Sequence, residues 1–191
     1  MKVSREEAGK NRKRVVSVAG ELFREHGFDG IGIADLMKKA GLTHGGFYKQ
    51  FASKQHLQAE ASADMLAENA SAWSKVTSAK DEPLKALVDF YLSPLQRRMM
   101  KNGCAMAALG ADAARHNDAV QSVFTKGIET HLQQLQDIVP GETDAKKRRT
   151  ALSALSEMVG ALILARAVDD DDLAGELLDA ARDDITSRLG D

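Results

Sequence analysis

Between Ile33 and Leu57 the chain reads IADLMKKAGLTHGGFYKQFASKQHL, and no other stretch limits its folding as tightly. Ile33, Leu36, Met37 and Ala40 recur at the spacing of one helical face, and Gly41 stops that helix. Thr43 suits the N-cap of a short following helix that carries Gly45 and Gly46 and ends near Phe51. Ser53 then caps a long helix whose stripe runs through Leu57, Ala61 and Met65 towards Trp73. Two short helices and a glycine turn in this order predict a helix-turn-helix at 32–51. The rival is a helical turn with incidental glycines. It has to absorb about 2 kcal/mol, because each glycine in a helix interior costs about 1 kcal/mol against alanine.

Helical periodicity extends to both sides. Val15, Val18, Ala19, Leu22 and Phe23 form one face of an earlier helix that ends at His26-Gly27. Beyond a soft linker at 78–82, Pro83 and Ser93-Pro94 mark helix starts. An alanine-rich helix runs from Cys104 to Arg115, and another from Asn117 to Val139 carries Val120, Phe124, Ile128, His131, Leu135 and Ile138 on one stripe. Two final helices, 145–168 and 172–189, flank an acidic turn. No alternating strand pattern of useful length occurs. The class expected is all-α with about nine helices: a three-helix head at 1–52 and a larger helical domain at 53–191.

Composition narrows the function. With 191 residues, 43% of them apolar, the chain can bury one sizeable core or two modest ones. One cysteine allows no internal disulfide, and the basic N-terminus has no apolar stretch behind it, so a cytoplasmic location is expected. No uninterrupted apolar run approaches the 18 or so residues of a membrane span; the richest, Met158 to Val168, contains Arg166. The net charge of −2 conceals a division: residues 1–54 hold 11 Lys/Arg against 6 Asp/Glu, a net of +5, and the remainder is −7. A basic head on an acidic body fits a head that meets phosphate, although a solvated basic tail gives the same count.

At the quoted residues the chain resembles the TetR family of bacterial transcriptional regulators. Phe23, Gly27-Phe28, Ala34-Asp35-Leu36, Ala40-Gly41-Leu42-Thr43, Gly45, Phe47-Tyr48, Phe51, Ser53-Lys54 and Leu57 carry the likeness over about 50 residues. LTHGGFY, with the later GCAMAAL at Gly103 to Leu109, is similar to one branch of that family. The resemblance implies a homodimer on a palindromic double-stranded operator, one recognition helix per major groove, and a small-molecule effector bound in the body. The alternatives are a DNA-binding regulator without an effector, or one that senses oxidants or electrophiles through Cys104.

The DNA-contacting candidates are Gly32, Thr43, His44, Gly45, Gly46, Tyr48, Lys49 and Lys54. Small residues let backbone approach the groove, and the hydroxyl and ammonium groups suit phosphate. Gly32 and His44 stand where the family usually has a capping Thr or Ser and a lysine. Large side chains on inward stripes, Trp73, Phe90, Met99, Met106, Phe124, His131 and Met158, are the effector-pocket candidates. Leu152, Leu155, Met158, Val159, Leu162, Leu177, Ala181 and Ile185 are expected in a dimer interface, with packing inside one chain as the rival. Phosphate-loop, HExxH, CxxC and GxSxG signatures are missing, and Asp169–Asp172 lacks calcium-loop alternation. No enzyme, metal or cofactor is expected.

Overall fold

The computed structural model describes residues 4–189; the first three and last two residues of the expected domain ranges lie outside the described part. Nine α-helices and one 3-10 turn are found among the described residues, without a strand: α1 Arg5–His26, α2 Ile33–Lys39, the 3-10 turn His44–Gly46, α3 Lys54–Thr77, α4 Pro83–Tyr91, α5 Pro94–Arg98, α6 Ala105–Ala113, α7 Asp118–Gln136, α8 Asp144–Ala167 and α9 Asp171–Leu189. The all-α expectation holds.

Side-chain caps fix most of the starts. Ser53 accepts from the His56 amide, Ser93 from Gln96, Asn117 from Ala119 and Val120, and Thr143 from Lys146. Pro83 and Pro94 occupy first-turn positions, where a missing N–H has no consequence. Gly27 and Gly41 leave α1 and α2 with φ of 74° and 70°, a left-handed backbone that a side chain would strain. Asp170, within the acidic turn, accepts from the amides of Asp172 and Leu173 and so caps α9.

The short helix expected from Thr43 to Phe51 departs from the sequence reading. Only His44–Gly46 is helical, as a 3-10 turn, and Thr43 makes no side-chain cap. Below it the Gln50 and Phe51 amides both return to the Phe47 carbonyl. Gly45 and Gly46 are the cause. They contribute no side chain to hold an α-turn and lose the most backbone entropy if one forms.

α3 is the spine. Its first half packs on α1 and its second half along α7, where Gly127 lies so close that a Cβ there would stand 2.5 Å from Leu66 Cδ1. α7 leads on to α8, and α8 to α9. One contiguous core runs from Val15 to Ile185. By length and composition α8 could cross a membrane, with a best-window mean hydropathy of 1.3. The sequence reading missed this because Lys146, Lys147, Arg148 and Arg149 open the helix and Arg166 stands near its end. Part of the apolarity of α8 serves internal packing: Ala151, Ala154, Leu155, Met158, Leu162 and Ala165 are buried against the rest of the chain.

Candidate nucleic-acid interface

The head is built around aromatic rings. Phe23 and Phe28 meet edge to face at 5.4 Å, Phe47 and Phe51 lie 5.4 Å apart, and all four are buried with Leu36 and Met37. Gly41 lets the Leu42 amide turn back to the Met37 carbonyl at 2.9 Å, which closes α2 and sends the chain into the 3-10 turn. With Phe47 and Phe51 directed inward, Tyr48 points out at 62% exposure. Its ring stands edge-on to His44 at 6.0 Å.

Most of the DNA-contacting candidates therefore share one surface. Thr43, His44, Gly45, Tyr48 and Lys49 are exposed along the turn, and Gly46 between them is half-buried. The two glycines have no reason internal to the protein. A Cβ at Gly45 would meet nothing within 4 Å, and one at Gly46 would make ordinary contacts of 3.6 and 3.7 Å. Neither has a positive φ. Gly32 precedes α2 with extended backbone and no side-chain cap, so only its main chain is presented.

Lys54 stands apart from this set. Its ammonium is 4.0 Å from one oxygen of Asp29, and the other Asp29 oxygen is 3.7 Å from His116 Nε2 in the turn after α6. The same turn is gripped twice more: the Phe28 amide donates to Asp112 of α6 at 3.1 Å, and Gln58 of α3 donates to the Phe28 carbonyl at 3.2 Å.

A residue that the sequence revealed only as charge holds the tip in place. Arg12 of α1 donates Nε to Glu60 at 3.1 Å, completes a fork on the same carboxylate, and reaches the Gln50 carbonyl. Its guanidinium lies 4.3 Å above the Phe51 ring. A turn too short to be stable alone is thus fastened to two long helices by one cation. Nothing in the spacing of Arg12, Gln50 and Glu60 announces this, because the contacts span 38 and 48 residues.

In the body, Trp73, Phe90 and Met99 gather around a cavity of about 90 Å³, together with Asn69, Tyr91, Gln96 and Cys104. Met106, Phe124, His131 and Met158 belong to the core instead. His131 packs edge-on to Trp73 at 4.6 Å and shares Nδ1 with the Gly127 carbonyl at 2.7 Å, and burial lowers its pKa. Cys104, only 4% exposed, caps α6 through a 3.5 Å contact from the Ala107 amide and accepts from the Tyr91 hydroxyl at 3.0 Å. Burial pushes Tyr91 well above its usual range. Larger hollows, of about 620 and 360 Å³, are open surface clefts away from this cluster.

The expected interface stripe divides in two. Leu155, Met158, Leu162, Ala181 and Ile185 are buried inside their own chain, while Leu152 is exposed and Val159 and Leu177 are half-exposed. Ile163, Leu164 and Leu173 are exposed alongside them. Gly160 lies on the same face, with nothing near its Cβ position.

Comparison with known proteins fits this architecture. Residues 15–61 match the family described as bacterial regulatory proteins, tetR family. An uncharacterized HTH-type transcriptional regulator of Mycobacterium tuberculosis is 28% identical over 165 residues, covering 81% of this chain and 84% of its own. The fold is shared with a TetR transcriptional regulator from Chloroflexus aurantiacus, with TM-score 0.81, 22% identity and coverage of 96% of this chain and 98% of that one. It is shared also with reduced NemR of Escherichia coli, with TM-score 0.79, 17% identity and coverage of 94% and 97%. Residues 15–61 are thus a DNA-binding head of the tetR type, read at the same residues in sequence, structure and family model, and the body beneath it shares the fold of solved TetR-family regulators.

Proposed function

We propose that the protein is a homodimeric repressor that binds a palindromic operator through His44–Lys49 and leaves it when a small molecule occupies the body. The observation that carries the reading is the unobstructed space above Gly45, on a surface whose glycines no internal contact requires. That space suits backbone drawn against the wall of a major groove, with the Thr43 and Tyr48 hydroxyls and the Lys49 ammonium directed to phosphates. Lys54 contributes from the rim once phosphate competes with Asp29.

The exposed apolar face of α8 and α9 supports pairing of two copies. Leu152, Val159, Ile163, Leu164, Leu173 and Leu177 would be covered by their counterparts, and Gly160 permits close approach. Two heads in successive major grooves must stand about 34 to 36 Å apart, so a small tilt transmitted along α3 or α6 is enough to lose the site.

Gel retardation on the intergenic DNA beside its gene, repeated across salt concentrations, tests the reading. A specific, salt-sensitive shift is expected. Tyr48→Ala should weaken it about 10-fold, the effect of losing one good contact, while sedimentation still reports a dimer. Undiminished affinity would remove Tyr48 from the interface, and no specific shift at low salt would overturn the function.

A further inference from the structure

The 90 Å³ cavity is flanked by a cation that has no anion. Arg166 of α8 donates to the carbonyls of Gln96 at 2.8 Å, Met99 at 3.1 Å and Arg97 at 3.3 Å, and its Nη1 is buried with no partner. All its acceptors are neutral, and among the described residues no carboxylate pairs with it. The ionisable groups that act on it are Cys104 and Tyr91, both lining the cavity. It is also tightly placed: a Cβ on Gly103 would lie 2.5 Å from Arg166 Nη2. A second guanidinium, Arg24 of α1, holds the Lys101 carbonyl at 2.9 Å from the head side, with Glu68 at 3.5 Å. Two cations thus bracket the segment that walls the cavity, and neither Asp nor Glu lines it.

The lining adds donors to that field. Gln96 is 6% exposed and lines the cavity, and its side-chain amide takes no partner from the described chain. The rest of the wall is Ala72, Trp73, Phe90 and Met99, with Asn102 and with Asn69, whose side-chain amide is already bound to the Gly103 carbonyl and the Ala105 N–H. The volume equals roughly three waters' share of the liquid, room for a solute of about four to six heavy atoms. A buried, uncompensated charge is costly, and an anion of matching size relieves it.

We propose that this cavity binds a small aliphatic monocarboxylate, from acetate to butyrate in size, with its carboxylate at the Gln96 amide in the field of Arg166 and its alkyl end against Phe90 and Met99. The proposal rests on the effector reading for its consequence, release of DNA, but not for the binding itself. Trp73 is the chain's sole tryptophan and lines the cavity, so its fluorescence reports occupancy directly.

The full-length dimer is titrated at fixed ionic strength with butyrate, n-butanol and n-butylamine. Saturable change with butyrate, at least 10-fold tighter than with either isostere, is expected. In Gln96→Leu and Arg166→Met the preference for butyrate over butanol should fall at least 10-fold, and circular dichroism checks that each variant is folded. Equal binding of butanol, or no saturation by butyrate in the wild-type protein, overturns the proposal. Operator release is scored separately. Butyrate that saturates Trp73 without releasing DNA leaves the site standing and sinks its role as effector, whereas specific DNA binding with no carboxylate response leaves the regulator standing and sinks the site.

Discussion

Arg12 and Arg166 do the same mechanical work in opposite halves of the molecule, and they differ in one respect. Each reaches from a long helix to the carbonyls of an irregular segment: Arg12 to Gln50 below the recognition turn, Arg166 to Gln96, Arg97 and Met99 in the cavity wall. Arg12 is neutralised by a forked bond to Glu60 and covered by Phe51, whereas Arg166 has only dipoles to face. Below the turn, the cation of the head already has its anion. The body keeps an open valence. A surface that must present fixed geometry to a groove gains from the first arrangement, and a wall that must respond to an arriving solute gains from the second.

The contrast can be broken most decisively at Arg12. Arg12→Met leaves Glu60 without its partner and frees the tip, so denaturant titration should show a loss of about 2 to 3 kcal/mol, in the range of hydrogen bonds to charged groups. Operator affinity should fall with it, while the slope of log affinity against log salt stays the same, because Arg12 points into the head. A slope reduced by about one unit would make Arg12 a phosphate contact instead.

Arg166→Met is the matched test. Although Arg166 makes as many hydrogen bonds as Arg12, removing an uncompensated cation also removes its desolvation penalty, so the loss should be smaller, about 1 kcal/mol or less. A loss as large as that of Arg12→Met would mean the two arginines are equivalent struts.

The smallest effect lies at His131. Its unfolded imidazole protonates near 6.5, while burial lowers the folded value. Below that pH the unfolded state binds more protons, so stability is complete above about 6.5 and declines as pH drops towards the folded pKa. Thermal unfolding between pH 7.5 and 5.5 should show this decline, flattened in His131→Leu. An unchanged slope would assign the acid sensitivity elsewhere.

Local signals made the fold legible. Gly27, Ser53, Pro83, Ser93 and Asn117 act through neighbours two to four residues away, and each marks the element boundary its chemistry predicts. The recognition turn was legible in place but not in form, since a capping threonine and a glycine pair give opposing instructions and the glycines prevailed. Across α8 and α9 periodicity identified a wide apolar stripe without dividing it. Which half faces inward depends on the crossing of α7, α8 and α9, and so Leu155, Met158 and Leu162 went inside while Ile163 and Leu164 stayed out. Arg12, Gln50 and Glu60 were invisible as a group because only the folded chain brings them together.

The close seat of Gly127 on Leu66 bears on how such a protein changes over generations. α3 carries the head at one end and leans on α7 at the other, and a methyl group at Gly127 would overlap the Leu66 side chain between them. A lineage that acquired alanine there would have to move the Leu66 side chain or part the two helices, and under the function proposed above the second course would reset the head without any ligand.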